Sequence, residues 1–512
     1  MIFVRLEDQS QNKKRGVFFL EKMNTIKQDW LGNVRADVLA GIVVALALIP
    51  EAIAFSLIAG VNPMVGLYAS FIIAMVISIA GGRPAMISAA TGAMALVIVS
   101  LVADHGLQYL LAAGILTGVI QIVLGYLGIA RLMKFIPRAV MVGFVNALAI
   151  LIFQAQLSNF EGESWIIWAI VAASLAIIFL FPRVTKAIPA PLVAIVVMTI
   201  LAITLGLDTK NIGDMGTISA TLPEFLFPNV PLTFETLLII LPYSISLAFV
   251  GLIESLLTAQ IVDDMTGTDS NKNRESRGQG IANIIAGFFG GMPGCAMIGQ
   301  SVINVSSGAR GRLSTFTAGL ALFIMIMTMS DILMLIPVGA LVGVMFFVSY
   351  ATFDWGSLKA LRTAQKSDTV VMLVTVVVTV VTHDLSLGVF AGILTAATLF
   401  AAKISKVELD RKIVANQARY IVNGQLFFAS TSEFINQFDV TEDVDAGVQQ
   451  VTIDFANTHL WDDSAIGAID KVVFKYREVG IEPELLNLNK DSEKLLNTLA
   501  LHLKQQDANA GH

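Results

Sequence analysis

Gly81-Gly82-Arg83-Pro84, followed by Ser88-Ala89-Ala90-Thr91-Gly92, leads into one weakly apolar stretch of the chain, and Gly290-Gly291-Met292-Pro293-Gly294 leads into another. Small and turn-forming residues at these places read as extended backbone feeding a short helix, not as continuous helix. Around them lie apolar segments near 38–60, 63–80, 88–103, 107–128, 135–157, 164–181, 188–206, 234–262, 278–291, 297–308, 313–330, 332–351, 368–382 and 385–402, fourteen in all. Roughly 17–25 such residues cross a hydrocarbon layer of about 30 Å. The two interrupted segments are third and tenth in the series, so they are corresponding members of two seven-span repeats. An odd number of spans per repeat requires the second to be inverted in the membrane, and broken helices at equivalent places of inverted repeats point to a transport site. Their N-termini direct unpaired N–H groups and positive dipole ends at a common point, which suits an anion without any buried Lys or Arg. Close packing of helices through Gly and Ala accounts for one such stretch better than for a matched pair.

Composition points the same way. Of 512 residues, 55% are hydrophobic and 14% charged, too apolar for a soluble core, so lipid must be the solvent. A formal net charge of −6 leaves no basic stripe for a nucleic-acid partner. The single cysteine, Cys295, excludes a disulfide framework. The chain has no His and Cys cluster at metal-ligand spacing and no phosphate-cradling Gly loop with Lys, so neither an enzyme nor a cofactor is expected. Residues 1–36 are polar with scattered Lys and Arg and lack a small-residue cleavage pattern, which reads as a cytosolic segment, not a removable signal.

Fourteen spans put both termini on one side, and the basic residues test that count. Arg83, then Arg131, Lys134 and Arg138, then Arg183 and Lys186, then Lys272, Arg274 and Arg277, then Arg310 and Arg312, then Lys359, Arg362 and Lys366 fall on alternate connections, with Lys210 breaking the pattern. That asymmetry predicts a multi-pass protein of the cell's inner membrane with both ends in the cytoplasm.

Two carboxylates lie within otherwise apolar spans, Glu51 after Pro50 in the first and Glu254 in the eighth. Burying either costs several kcal/mol unless it is protonated, paired or bound to a cation. Glu254 and Thr258 are four apart and share a helix face, with Ser255 beside them; such a face could hold a proton or a Na⁺. A structural tie between helices is the other reading of Glu254, and Glu51 could simply reach a water-filled cavity.

The run Ile49-Pro50-Glu51-Ala52-Ile53-Ala54-Phe55-Ser56-Leu57-Ile58-Ala59-Gly60-Val61-Asn62-Pro63, with Gly66-Leu67-Tyr68-Ala69-Ser70, resembles the first-span signature of the SulP family of sulfate permeases and related anion transporters. Asn273-Arg274-Glu275 with Gly278-Gln279-Gly280-Ile281-Ala282-Asn283 is similar to that family's connection between spans eight and nine. In many members the residue after the first-span Pro is Gln where this chain has Glu51. The resemblance implies an anion pocket formed by Glu51, Phe55, Thr91, Gly92, Ala93, Met297, Ile298, Gly299 and Gln300, with Glu254 and Thr258 as the coupling acid and its hydroxyl partner for H⁺ or Na⁺. Phe55 alone would read as packing. It also implies a core bundle of spans 1–4 and 8–11, a gate bundle of spans 5–7 and 12–14, alternating access between them, and a homodimer.

The transport domain is expected over 37–403 and a cytosolic domain over 404–512. After Lys403 the chain turns mixed and charged, with strands expected at 420–422, 424–429, 451–455 and 484–488 and helices at 432–438, 464–478 and 490–503. This small α/β fold resembles the STAS domain that ends most SulP proteins. Asp462-Asp463-Ser464-Ala465 stands where that domain carries its phospho-acceptor motif, making Ser464 a possible acceptor, although a helix N-cap explains Ser464 more simply. The expectation is thus an all-α polytopic domain with an α/β tail that moves a small inorganic anion, sulfate or bicarbonate, as a secondary active symporter. An uncoupled exchanger, an anion channel or a dicarboxylate carrier of the same fold remains open.

Overall fold

The computed structural model describes residues 27–185, 188–363 and 365–502. The expected cytosolic segment 1–36 is therefore described only from residue 27, and Lys186, the side chain of Lys134 and the last position of the helix expected at 490–503 lie outside the described residues. Contacts divide the chain into two units that meet at Ile393 and Leu394.

A helix falls at each of the fourteen expected positions, the first thirteen in the first unit and the last running across the unit boundary: α1 (Val34–Ile58), α2 (Pro63–Ala80), α3 (Gly92–His105), α4 (Leu107–Leu127), α5 (Arg138–Leu157), α6 (Trp165–Leu180), α7 (Ala190–Thr204), α8 (Phe234–Thr266), α9 (Lys272–Phe288), α10 (Ile298–Ser306), α11 (Arg312–Met334), α12 (Val338–Thr352), α13 (Lys366–Thr382) and α14 (Leu385–Ile404). The third begins at Gly92, four residues after its expected start, and the tenth at Ile298, one residue after. Each is preceded by a three-residue strand, β1 (Ser88–Ala90) and β2 (Gly294–Ala296), and the two strands pair antiparallel with Ser88 opposite Ala296, Ala89 opposite Cys295 and Ala90 opposite Gly294. Two short helices, Ile212–Met215 and Trp355–Thr363, were not expected.

Packing sorts these helices into two bundles. Helices α1–α4 and α8–α11 lie chiefly against one another, through the pairs α4 with α9, α1 and α2 with α11, and α3 and α4 with α8; α5–α7 pack with α12 and α13. Glycine permits the closest of these approaches. A Cβ on Gly118 of α4 would lie 2.4 Å from the Gly280 carbonyl oxygen of α9, and one on Gly280 would lie 2.4 Å from that of Gly118, so the two backbones touch where neither can carry a side chain. The repeats correspond: α1 and α8 each contain a proline, Pro50 and Pro242, α3 packs on α8, and α10 packs on α1.

The second unit holds a four-stranded sheet of β3 (Glu408–Val414), β4 (Gln417–Leu426), β5 (Gln450–Leu460) and β6 (Glu484–Leu486), in that spatial order. β3 and β4 form an antiparallel hairpin, whereas β4 with β5 and β5 with β6 are parallel. Helices α15 (Thr431–Asn436), α16 (Val440–Asp445), α17 (Asp463–Glu478) and α18 (Lys490–Leu499) complete it. Its core is aromatic and aliphatic, with Tyr420, Phe434, Phe455, Ile469 and Tyr476 buried. Strand β3 escaped the sequence reading because it is an edge strand with mostly exposed residues and no alternating apolar face. The N-cap of α17 is Asp462, whose side chain accepts from Ala465 N at 3.0 Å, so Ser464 is not the cap: the carboxylate two residues earlier already holds that N–H, and the Ser464 side chain is exposed.

Candidate functional site

Three residue pairs of β1 and β2 cannot satisfy the backbone of two interrupted spans alone, and in an apolar layer each unpaired N–H or C=O is costly. Polar side chains from four neighbouring helices complete the pairing. Asn283 of α9 accepts from Gly294 N at 2.8 Å and donates to Gly294 O at 3.1 Å, while its amide also donates to Gln121 of α4 at 2.9 Å. Ser255 of α8 accepts from Ala296 N at 3.1 Å, Ser70 of α2 accepts from Ala90 N at 3.3 Å, and Ser301 of α10 accepts from Ile87 N at 3.0 Å. Before β1, Glu275 accepts from the N–H groups of Gly82 and Arg83, at 2.7 and 3.1 Å, and the Arg83 guanidinium pairs with Asp263 at 3.2 Å. The broken backbone is thereby fixed in place.

At one end of the strand pair, Thr91 caps α3, accepting from Met94 N at 3.4 Å, and its hydroxyl lies 3.1 Å from Cys295 Sγ. The Cys295 thiol donates to Glu254 Oε2 at 2.9 Å. Glu254 is 8% exposed, so the expected coupling acid is buried with a thiol, a weak donor, on its carboxylate. Thr258 shares its helix face as expected, but the Thr258 hydroxyl donates to the main-chain oxygen of Glu254 at 2.7 Å, leaving its own oxygen lone pairs as the group it can offer a cation.

At the other end, Gln300, the third residue of α10, donates from Nε2 to Glu51 Oε2 of α1. One helical turn further along α1, Phe55 reaches the start of α3: a Cβ on Gly92 would meet Phe55 Cε1 at 2.8 Å and Ile152 Cδ1 of α5 at 3.2 Å. Helix α1 thus touches the N-termini of both half-helices within one turn, and the first N–H groups of each, which no intrahelical carbonyl can satisfy, head this region. Gly299 has no heavy atom within 4 Å of the place a Cβ would take, so open space adjoins the α10 terminus. Of the remaining expected residues, Ala93 is buried, and Met297 extends the strand pairing through its N–H to Ile87 O at 2.8 Å. A cavity of about 980 Å³, with Ala54, Leu96, Ser100, Tyr243, His383 and Asp384 on its wall, opens on the face where α1, α3 and α5 end.

The sequence reading gave no functional role to Cys295, Asn283 or Gln121, and placed Ser255 beside Glu254 without its bond to the strand backbone. Asn283 and Gln121 did leave a signal, amide side chains inside apolar spans, but a lone cysteine in a small-residue run carries none.

Residues 34–166 and 163–375 match the Sulfate permease family. The chain belongs to that family. Residues 412–506 match the STAS domain. Within the sulfate permease family the chain is 62% identical to the YbaR protein of Bacillus subtilis (strain 168), over 93% of this chain and 99% of that one. Among solved structures it is similar to the transmembrane domain of a cyanobacterium bicarbonate transporter, BicA, at 28% identity and a TM-score of 0.63, covering 71% of this chain and 98% of that one. It shares its fold with the murine Solute Carrier 26 family member A9 anion transporter in the inward-facing state, at a TM-score of 0.79 and 16% identity over 92% of this chain and 88% of that one. The sulfate permease family consists of transporters, not enzymes, and this chain is a multi-pass transmembrane anion transporter with a STAS domain.

Proposed function

We propose that the protein moves a small oxyanion of the sulfate or bicarbonate class by alternating access, and that H⁺ or Na⁺ at Glu254 drives uptake. The observation that carries the reading is the chain Glu254–Cys295–Thr91, which joins a buried carboxylate to the cap of α3. A carboxylate with only a thiol donor on it calls for a proton or a cation. Its negative charge opposes an anion at the same helix terminus, so neutralising it favours the anion, and by linkage the anion favours the cation. YbaR, whose name assigns it provisionally to sulfate transport, and BicA, named for bicarbonate, support that substrate class. The alternating basic connections support both termini in the cytoplasm.

The test is uptake of labelled sulfate and bicarbonate into proteoliposomes under an imposed pH or Na⁺ gradient, comparing wild type with Glu254→Gln. Gradient-driven accumulation in wild type that is lost in the variant is the expected result. Equal, gradient-insensitive flux in both would sink the coupling and leave an uncoupled exchanger or channel.

A further inference from the structure

We propose that the Glu51 carboxylate is a built-in occupant of the anion site, holding the α10 terminus through Gln300 when no substrate is bound and leaving it, with a proton, when an anion arrives. The proposal rests on the carrier reading above and adds a second, separate acid to it.

The geometry is specific. Gln300 is 5% exposed, and its amide is aimed at Glu51. An amide nitrogen on the third residue of a helix stands beside that helix's positive end, a place that stabilises any negative charge nearby, whether a side chain's or a bound ligand's. The place a Cβ on residue 299 would take is open, and that opening is the space assigned here to the anion. Phe55 and Gly92 close the opposite side one turn away, so an anion in that space would sit against the Glu51 carboxylate. Two negative charges in a poorly solvated pocket cannot share one terminus without a countercharge.

Among the described residues, the elements that pack most closely on α1 bring no countercharge to Glu51. Helix α1 packs against α2, α3, α7, α10, α11, α12 and β1. Of these, α7, α10 and β1 contain no titratable residue, α2 and α12 contain only Tyr68 and Tyr350, α3 has Asp104 and His105 at its far end, and α11 has Arg312 at its first position and Asp331 near its last. On α1 itself Arg35 and Asp37 are about four turns away, and Asp37 is engaged by the N–H groups of Arg310 and Gly311, at 2.9 and 3.1 Å. Glu254 on α8 is turned to Cys295. The charge on Glu51 is therefore removed by a proton from water in the site. The neutral carboxyl needs Gln300 less than the carboxylate did, and the freed amide becomes a donor to the substrate.

Sulfate, doubly charged across the pH range used, is the probe. For wild type in proteoliposomes, the KM for sulfate is expected to rise about tenfold or more between pH 6 and pH 8.5, and to rise less steeply in Glu51→Gln. In weakly buffered detergent solution, sulfate binding should take up protons with wild type and with Glu254→Gln, fewer with Glu51→Gln than with wild type, and none with the Glu51→Gln/Glu254→Gln double variant. This readout on wild type needs no variant to fold. A wild type that binds sulfate without proton uptake overturns the proposal, as does a Glu51→Gln variant that keeps the wild-type pH slope. Loss of sulfate binding in Glu51→Gln with retention in Glu51→Asp also overturns it, by making the carboxylate a ligand, not a competitor. A wild type that transports neither sulfate nor bicarbonate at any pH overturns the carrier reading and this proposal together.

Discussion

Replacing Gly294 with alanine tests whether the strand pair fixes the two half-helices relative to each other. The new Cβ would lie 2.1 Å from the Ala89 carbonyl oxygen and 2.7 Å from Ile73 Cδ1. Because Cβ contacts under 3.0 Å essentially do not occur, the Ala89 carbonyl must recede by about 0.9 Å. Gly294 cannot yield instead, since Asn283 grips both its N–H and its C=O. A hydrogen bond of about 2.9 Å stretched by that amount passes the limit at which it still counts as one. Breaking it orphans a buried donor and acceptor at about 1–3 kcal/mol each, or about 2–6 kcal/mol in total. That energy weighs against the arrangement in which both helix termini face one point. At about 1.4 kcal/mol per factor of ten, the KM for anion uptake should rise by roughly 30-fold or more. The assay is initial-rate uptake in proteoliposomes, with size-exclusion chromatography to show that the variant is folded. A folded Gly294→Ala protein with a KM within about twofold of wild type would refute the reasoning.

Gly299→Ala makes the converse prediction: its Cβ meets nothing within 4 Å, so thermal stability should stay within about 0.5 kcal/mol of wild type while KM rises, because the methyl enters the space assigned to the anion. In the second unit Asp443 is fully buried and accepts from Arg411 Nη2 at 2.5 Å, Tyr420 OH at 2.7 Å and Tyr476 OH at 2.6 Å. Asp443→Ala should destabilise that unit by about 3–5 kcal/mol, read as a lower melting transition and earlier proteolysis of the tail in the full-length protein. Burial, reinforced by the bond to Asp443, pushes the Tyr420 phenol up to about 12, and the Tyr476 phenol is raised for the same reasons. A phenol that stays protonated in the folded state favours folding below its unfolded value near 10, and the contribution is lost as pH climbs from about 10 to about 12. Absorbance titration at alkaline pH should therefore show tyrosines that ionise only as the unit unfolds, and fewer of them in Tyr476→Phe.

How much of this was legible depended on the length of the signal. Spans of about twenty apolar residues announce themselves, and the glycines and prolines at 81–84 and 290–294 marked the broken helices because only those residue types interrupt an apolar run. The family resemblance implied only that Glu51, Phe55, Gly92 and Gln300 share a pocket; the contacts of Glu51 with Gln300 and of Phe55 with Gly92 were not legible, since neither lies within one element. The partner of Glu254 was not legible. Cys295 sits in a strand too short for any alternation, and its role exists only because antiparallel pairing puts it beside Thr91 and below α8. In the tail, buried β5 and amphipathic α17 carried clear patterns, whereas β3 is held by pairing with β4 and by few buried side chains of its own.

The pairing of β1 with β2 also dictates an order of assembly. The first strand is made about 200 residues before its partner, and until Gly294–Ala296 arrives, Ser88–Ala90 has no backbone partner across which to bond. During synthesis the first seven helices must wait near the insertion machinery or in a hydrated pocket with that strand unsealed. A chain cut in the 207–233 connection should then yield two fragments that accumulate only when made together, each completing the other's hydrogen bonds as a template would.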